Sequence, residues 1–236
     1  MGGCGQKAAN VNAPTSQSAE NSAEVRNETS TEETNAEGAA PVNTIEIAKA
    51  KAIEHWSGPS SAVGTHVPEV RSVEKLKGTA VTSLLAHMHA FRVVVSNPRA
   101  AIAGPPSMTH TLVLDGESTH FLDDYQAVAT FLSERTLARV TSKSSAEQLL
   151  SSFAELSNLQ APTAKHLNMP GVKNNTEFSS SDWNTNLRQD GDAWNANVTY
   201  LVDPIAYRFI RLALTFSADG TMTVRIEKSF FLRGYS

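Results

Sequence analysis

The sequence predicts an α+β fold in which N-terminal helices pack on a C-terminal antiparallel β-meander, preceded by a disordered tail. Three patterns support this prediction. The first 43 residues are polar, apolar residues recur at helical spacing between 44 and 157, and apolar and polar residues alternate after residue 190. Helices followed by a one-sided sheet are typical of α+β domains. We therefore expect a disordered tether over residues 1–43 and one folded domain over residues 44–236.

The tether has the composition of a solvated linker. The chain contains no aromatic residue before Trp56 and no leucine before Leu76. Such a segment buries too little apolar surface to offset the entropy of ordering it. The tether carries two basic residues against six glutamates, a net charge of −4, which equals the charge of the whole chain and leaves the domain neutral. Because phosphate binding needs a basic excess, we expect no nucleic-acid partner.

The first part of the domain reads as a helix followed by mixed elements. Asn43 and Glu46 mark the start of a helix over residues 44–56. Apolar residues on one face of this helix are Ile45, Ala48, Ala52, Ile53 and Trp56. A spacing of three suggests a short helix from Pro68 to Lys77, and residues 79–96 read as a helix running into a strand.

A hairpin and two further helices come next. Asp115 and Gly116 form a turn signal between strand-like segments Thr109–Leu114 and Thr119–Phe121. Capping signals at Asp123 and Ser144 predict helices over residues 123–135 and 145–157. A short strand is expected at Leu137–Thr141, between these two helices, and a loop over residues 158–180.

The alternation of apolar and polar residues is most regular in the C-terminal region. Apolar residues alternate with polar ones in three segments, from Trp194 to Tyr200, from Ile210 to Phe216 and from Met222 to Ile226. Asp190-Gly191 and Asp219-Gly220 supply tight turns, and Trp183 is expected on the first strand of the meander. The pattern indicates a sheet with one buried and one polar face, whose apolar side the helices cover.

Cys4 is the only cysteine of the chain, and it follows Gly2 and Gly3. This start, with a polar linker behind it, resembles a bacterial lipoprotein, in which a cysteine after small residues is lipidated and becomes the mature N-terminus. The resemblance implies lipid on Cys4, a membrane as partner through that lipid, and a location in the cell envelope. It also implies that a basic and apolar leader is encoded upstream of Met1.

Two other interpretations of the N-terminus remain open. Gly2, Cys4 and Lys7 are similar to a start that receives a myristoyl and a palmitoyl group, although Gln6 stands where that motif has Ser or Thr. Alternatively, the protein is cytoplasmic and Cys4 is a free thiol in a disordered tail.

The domain shows no catalytic motif, no metal-ligand spacing and no cofactor signature, so we expect a binding or interaction module without a cofactor. An acidic ligand or protein partner is suggested by arginines on the polar face of the meander, where Arg211 and Arg225 are expected to be cross-strand neighbours. Arg188 and Arg208 lie near the strand ends. The alternative is an enzyme, hydrolase-like, with a site built from His110, His120 and these arginines. His87 and His89 would share one face only on a strand.

Overall fold

The computed structural model describes residues 43–58, 67–97, 107–203 and 207–232. These residues contain helices and two antiparallel sheets of four strands each, an α+β architecture. Residues 1–42, including Cys4, lie outside the described residues.

The first sheet contains β1 (Val70–Lys75), β2 (His89–Ser96), β3 (Ser107–Asp115) and β4 (Ser118–Leu122), paired in chain order. One face packs against α1 (Thr44–Trp56), and the shared core includes Phe91 and Leu112. The predicted bounds of α1 are confirmed, but Ile53 is 54% exposed. The buried stripe of α1 consists of Ala48, Ala52 and Trp56, which recur every four residues. The small side chains of the two alanines let the helix approach the sheet closely.

The predicted helix from Pro68 to Lys77 is wrong, because this segment forms strand β1. A β-bulge between Val70 and Ser72 adds one residue to the strand. Both Val70 and Val73 therefore face α1 at a spacing of three, which imitates a helical repeat.

In sequence, α2 (Thr79–Leu84) lies between β1 and β2, whereas α3 (Tyr125–Glu134) and α4 (Lys143–Leu156) lie between the two sheets. Asp124, one residue beyond the predicted cap, accepts hydrogen bonds from the backbone amides of Gln126 and Ala127. A capping box of Ser142 and Ser145 starts α4 two residues before the predicted cap. The strand expected at Leu137–Thr141 is absent from the described residues. Its apolar residues are instead buried in the core as part of a connection.

The second sheet contains β5 (Asn186–Asp190), β6 (Ala193–Asp203), β7 (Arg208–Phe216) and β8 (Met222–Phe231), and the predicted meander is confirmed. The largest hydrophobic cluster contains residues of α2, α3, α4 and both sheets. The opposite face of the second sheet is not uniformly polar. Leu201, Phe209 and Phe230 form a further cluster there, with residues of the short helices α5 (Ala164–Leu167) and α6 (Pro170–Lys173) nearby.

Candidate ligand-binding cavity

A cavity of about 500 Å³ lies beside β1, the edge strand of the first sheet. Its volume falls within the range of roughly 300–1,000 Å³ that is usual for small-molecule sites. Three lining residues are aliphatic and five are charged, and together they are Ile45, Val73, Glu74, Lys75, Leu76, Lys77, Arg92 and Glu155. The cavity therefore combines an apolar wall with charges of both signs.

Arg92 is the most unusual of these residues because it lies inside a strand of otherwise apolar character. In β2 it stands between Phe91 and Val93, and its register partners are Glu74 in β1 and Thr111 in β3. The Nε atom of Arg92 is buried and has no hydrogen-bond partner among the described residues. A buried unpaired donor is costly, by about 1–3 kcal/mol, so this guanidinium is a site where a bound anion or water would be stabilised.

Glu155 reaches the cavity from the last turn of α4. Its carboxylate lies against Gly78, the N-cap of α2, where an added Cβ would be 1.9 Å from Oε2 of Glu155. Gly78 has a φ of −61°, a value open to any residue. A side chain at this position would therefore displace the Glu155 carboxylate, the end of a flexible side chain.

The charged residues of the cavity are not paired with one another. Among the ion pairs between described residues, none includes Glu74, Lys75, Lys77, Arg92 or Glu155. Partly buried charges elsewhere, such as Arg135 with Asp115 and Lys228 with Asp182, do form ion pairs. The cavity is thus distinguished by charges that the fold leaves available to a ligand.

Arg211, the first arginine of the predicted site, belongs to a buried ionic network. Its Nε lies 3.4 Å from Oδ1 of Asp182 and 3.4 Å from Oε2 of Glu227, and its Nη1 donates to the backbone carbonyl of Asp182. Lys228 donates to Oδ2 of Asp182 at 2.7 Å. Burial opposes ionisation of Asp182, but hydrogen bonds from Lys228 and Ser179 outweigh it and lower its pKa to about 2.

This network explains why Arg211 is unsuited to a ligand. The guanidinium holds the 3₁₀ helix Ser180–Trp183 against the second sheet, and the residue is only 6% exposed. Trp183, expected on a strand, lies in this 3₁₀ helix, whereas Trp194 lies on β6 in the core.

The other predicted arginines are exposed and dispersed. Arg225 pairs in register with Ala213, whereas Arg211 pairs with Lys228, so the expected cross-strand arginine pair is wrong. The register offsets the two arginines by two to three residues, and both of them form ion pairs with Glu227. Arg188 lies on edge strand β5, and Arg208 begins β7.

His110 and His120 lie on opposite faces of the first sheet. His110 stacks on Trp56 of α1, with ring centroids 5.1 Å apart, and its Nδ1 is 3.4 Å from Oδ1 of Asp123. Burial lowers the pKa of His110, although the nearby carboxylate of Asp123 acts in the opposite direction. His120 contacts Phe131 of α3 and lies 2.8 Å from Nη2 of Arg135.

Burial and the Arg135 guanidinium lower the pKa of His120. The structure therefore does not bring the two histidines together. His87 lies in a turn and His89 begins β2, so these two do not share a strand face either.

Sequence reasoning missed Arg92, Lys77 and Glu155. A signal for Arg92 is present in the sequence, since one arginine interrupts the apolar run from Phe91 to Val95. A charge in a central strand is rarely buried without a partner, and this makes such a position a candidate for ligand binding. Lys77 and Glu155 carry no comparable signal, because they stand in segments where charged residues are ordinary.

Within the described ranges, no group of three or more histidine, cysteine, aspartate or glutamate residues is arranged to hold a metal ion. The described helices include none whose length and apolar character would suffice to cross a bilayer. Comparison of the chain with protein-family models, curated proteins and solved structures finds no match.

Proposed function

We propose that this chain is a lipid-anchored protein of the cell envelope whose domain binds a small ligand bearing an acidic group, without catalysis, in the cavity beside β1. The observation that carries this proposal is Arg92, which lines the cavity and forms no ion pair with another described residue. An anionic group bound in the cavity would pair with this guanidinium through charge-assisted hydrogen bonds.

Binding is favoured over catalysis by the composition of the walls. The residues that line the cavity include no histidine, cysteine, serine or threonine that could act as a nucleophile with an adjacent base. His110 and His120 contact other residues on separate faces of the sheet.

The same proposal includes helices that cover the apolar face of the C-terminal meander. It is supported by the hydrophobic cluster that contains residues of these helices and of the meander.

The membrane anchor is supported by the sequence alone. Cys4 follows two glycines and precedes a long polar segment, as in lipoproteins. The domain is neutral, so it has no polybasic attraction to an anionic membrane that could replace the lipid. We therefore assign membrane attachment to Cys4.

Ligand binding is tested by titrating the protein with 4-methylpentanoate and with inorganic phosphate, followed by two-dimensional NMR of the backbone amides. We expect at least one anion to shift amides of β1 and β2 in the wild type. An Arg92→Met variant should lose this response, because the methionine fills the space of the arginine stem without its charge. Arg188→Met is the matched control, since Arg188 is exposed on β5, outside the cavity.

An Arg92→Lys variant distinguishes loss of binding from loss of folding, because it keeps the positive charge at the site. Equal responses of wild type and Arg92→Met, with both proteins folded by their unfolding curves, would contradict the proposed site. So would the absence of any response to every probe, zwitterionic compounds included.

The anchor is tested by cell fractionation and mass spectrometry of the wild type and a Cys4→Ser variant. We expect the wild type in the membrane fraction, with lipid on Cys4 as the first residue, and the variant in the soluble fraction. A myristoyl group on Gly2 would support dual acylation instead. An unmodified wild type in the soluble fraction would refute the anchor and favour a cytoplasmic protein.

A further inference from the structure

We infer that the ligand of the cavity is a small zwitterion with an aliphatic portion, the chemistry of a free amino acid or of a short peptide with open termini. This inference rests on the proposed function, because it specifies the ligand of the same site. Three basic and two acidic side chains line the cavity together with Ile45, Val73 and Leu76. A carboxylate, an ammonium group and an aliphatic chain would satisfy all three kinds of surface.

The basic groups indicate where the carboxylate binds. Arg92 lines the cavity from β2, and Lys77 lines it from just beyond the end of β1. A guanidinium binds a carboxylate with directed hydrogen bonds, whereas an ammonium acts as a point charge. We therefore assign the carboxylate primarily to Arg92, with Lys77 adding attraction.

The acidic groups indicate that a simple anion is an incomplete ligand. Glu155 and Glu74 line the same cavity, and neither forms an ion pair with a described residue. A ligand with only negative charge would be repelled by both carboxylates, whereas an ammonium group would pair with one of them. Glu155 enters from α4 and Arg92 from β2, so the opposite charges stand on different walls, as an elongated zwitterion requires.

Direct pairing of Glu74 with Arg92 is the alternative that the experiment has to exclude. The two residues are register partners on adjacent strands, a position where opposite charges often interact. If Glu74 neutralised Arg92 in solution, Glu155 would be the only acid left for a ligand. In that case, a Glu74→Gln variant should bind anions more strongly. If the cavity is instead a zwitterion site, Glu155→Gln should change the affinity for ammonium-bearing ligands more than Glu74→Gln does.

The test compares L-leucine with N-acetyl-L-leucine and L-leucinamide by calorimetric or NMR titration of the full chain. The acetyl group removes the ammonium charge, the amide removes the carboxylate, and the aliphatic side chain stays the same. We expect leucine to bind at least about tenfold more tightly than either capped compound, because each loses one charge-assisted interaction. The dipeptide Leu-Leu and its capped forms, measured in parallel, distinguish an amino acid from a peptide as the ligand.

Variants of the protein show which charged side chain binds which charged group of the ligand. Glu155→Gln should lower the affinity for leucine about tenfold and raise the affinity for N-acetyl-leucine, because it removes a repulsive carboxylate, whereas Arg92→Lys should weaken both compounds. If N-acetyl-leucine binds as tightly as leucine and still depends on Arg92, the zwitterion inference fails and the proposed acidic ligand stands. If no compound shows binding that depends on Arg92, the proposed function itself fails.

Discussion

Two arginines in central strands, Arg211 and Arg92, have opposite electrostatic surroundings. Arg211 is buried and interacts with two carboxylates and a backbone carbonyl. Arg92 has a buried nitrogen that lacks a partner among the described residues. Because an unpaired buried charge is expensive, the first arrangement stabilises a structure and the second indicates a ligand site. Sequence alone gives both residues the same appearance, an arginine among apolar neighbours.

Replacement of Arg211 tests its structural role. An Arg211→Met variant leaves Asp182 and Glu227 without their shared cation, and loss of one partner of a buried pair typically costs about 3–5 kcal/mol. We expect a decrease of this size in the free energy of unfolding, measured by urea denaturation. Arg225→Met is the control, since the Arg225 side chain is 77% exposed, and its effect should be within about 0.5 kcal/mol. Equal effects of the two variants would contradict the assignment.

At the scale of elements, the cavity depends on how closely the start of α2 approaches the end of α4. Gly78 provides the N-cap of α2, and the Glu155 carboxylate occupies the space that a side chain would need. This contact joins two helices separated by a large part of the chain, so it depends on tertiary packing. The packing of α2 and α4 therefore determines where Glu155 lies in the cavity.

A Gly78→Ala variant tests this contact. The new Cβ would overlap the carboxylate of Glu155, so we expect that side chain to move and the affinity for leucine to fall, while stability changes by a few tenths of a kcal/mol. A Gly116→Ala variant should instead lower the stability and leave the affinity for leucine unchanged. Gly116 has a φ of +58° in an open turn, so alanine costs about 1 kcal/mol through strain without affecting binding. In a Glu155→Ala background, Gly78→Ala should have no further effect on binding, which titration of the double variant would establish.

The elements also show what could be predicted from sequence. Alternation predicted β6, β7 and β8, and capping residues located α3 and α4 to within two residues. The bulges in β1 and between Arg211 and Leu212 were not foreseen, because an extra residue in a strand leaves no mark that distinguishes it from a helical spacing. The bulge in β1 accounts for the false helix, whereas the predicted arginine pair was wrong by about two residues of register.

The residues of the cavity were harder to predict from the sequence than the helices and strands were. Its residues come from α1, β1, β2 and α4, and they converge only after the first sheet and the helices have packed. The arginines and histidines that stood out in sequence are distributed over several faces of the two sheets. Among the cavity residues only Arg92 carries a signal in the sequence, its place in an apolar strand, and Arg211 carries the same signal without lining the cavity.

The stability of the whole domain should respond to pH through histidines on both faces of the first sheet. Burial is the main cause that lowers the pKa of both His110 and His120 below the ordinary value of 6.5. The unfolded chain then binds more protons than the folded one as pH falls below about 6.5, so stability is lost in that direction. Because the two rings contact different elements, their contributions should be nearly additive.

This pH dependence can be measured as the free energy of urea unfolding at about pH 7.5 and about pH 5.5, on either side of the ordinary histidine pKa. We expect the wild type to lose stability between these values, and a double variant, His110→Gln with His120→Gln, to lose less. Each single variant should remove part of the difference. The control is His87→Gln, because His87 is exposed in a turn, and its pH dependence should equal that of the wild type. A double variant with an undiminished loss would show that protonation of these two rings is tolerated in the folded state, and would contradict the burial argument for both.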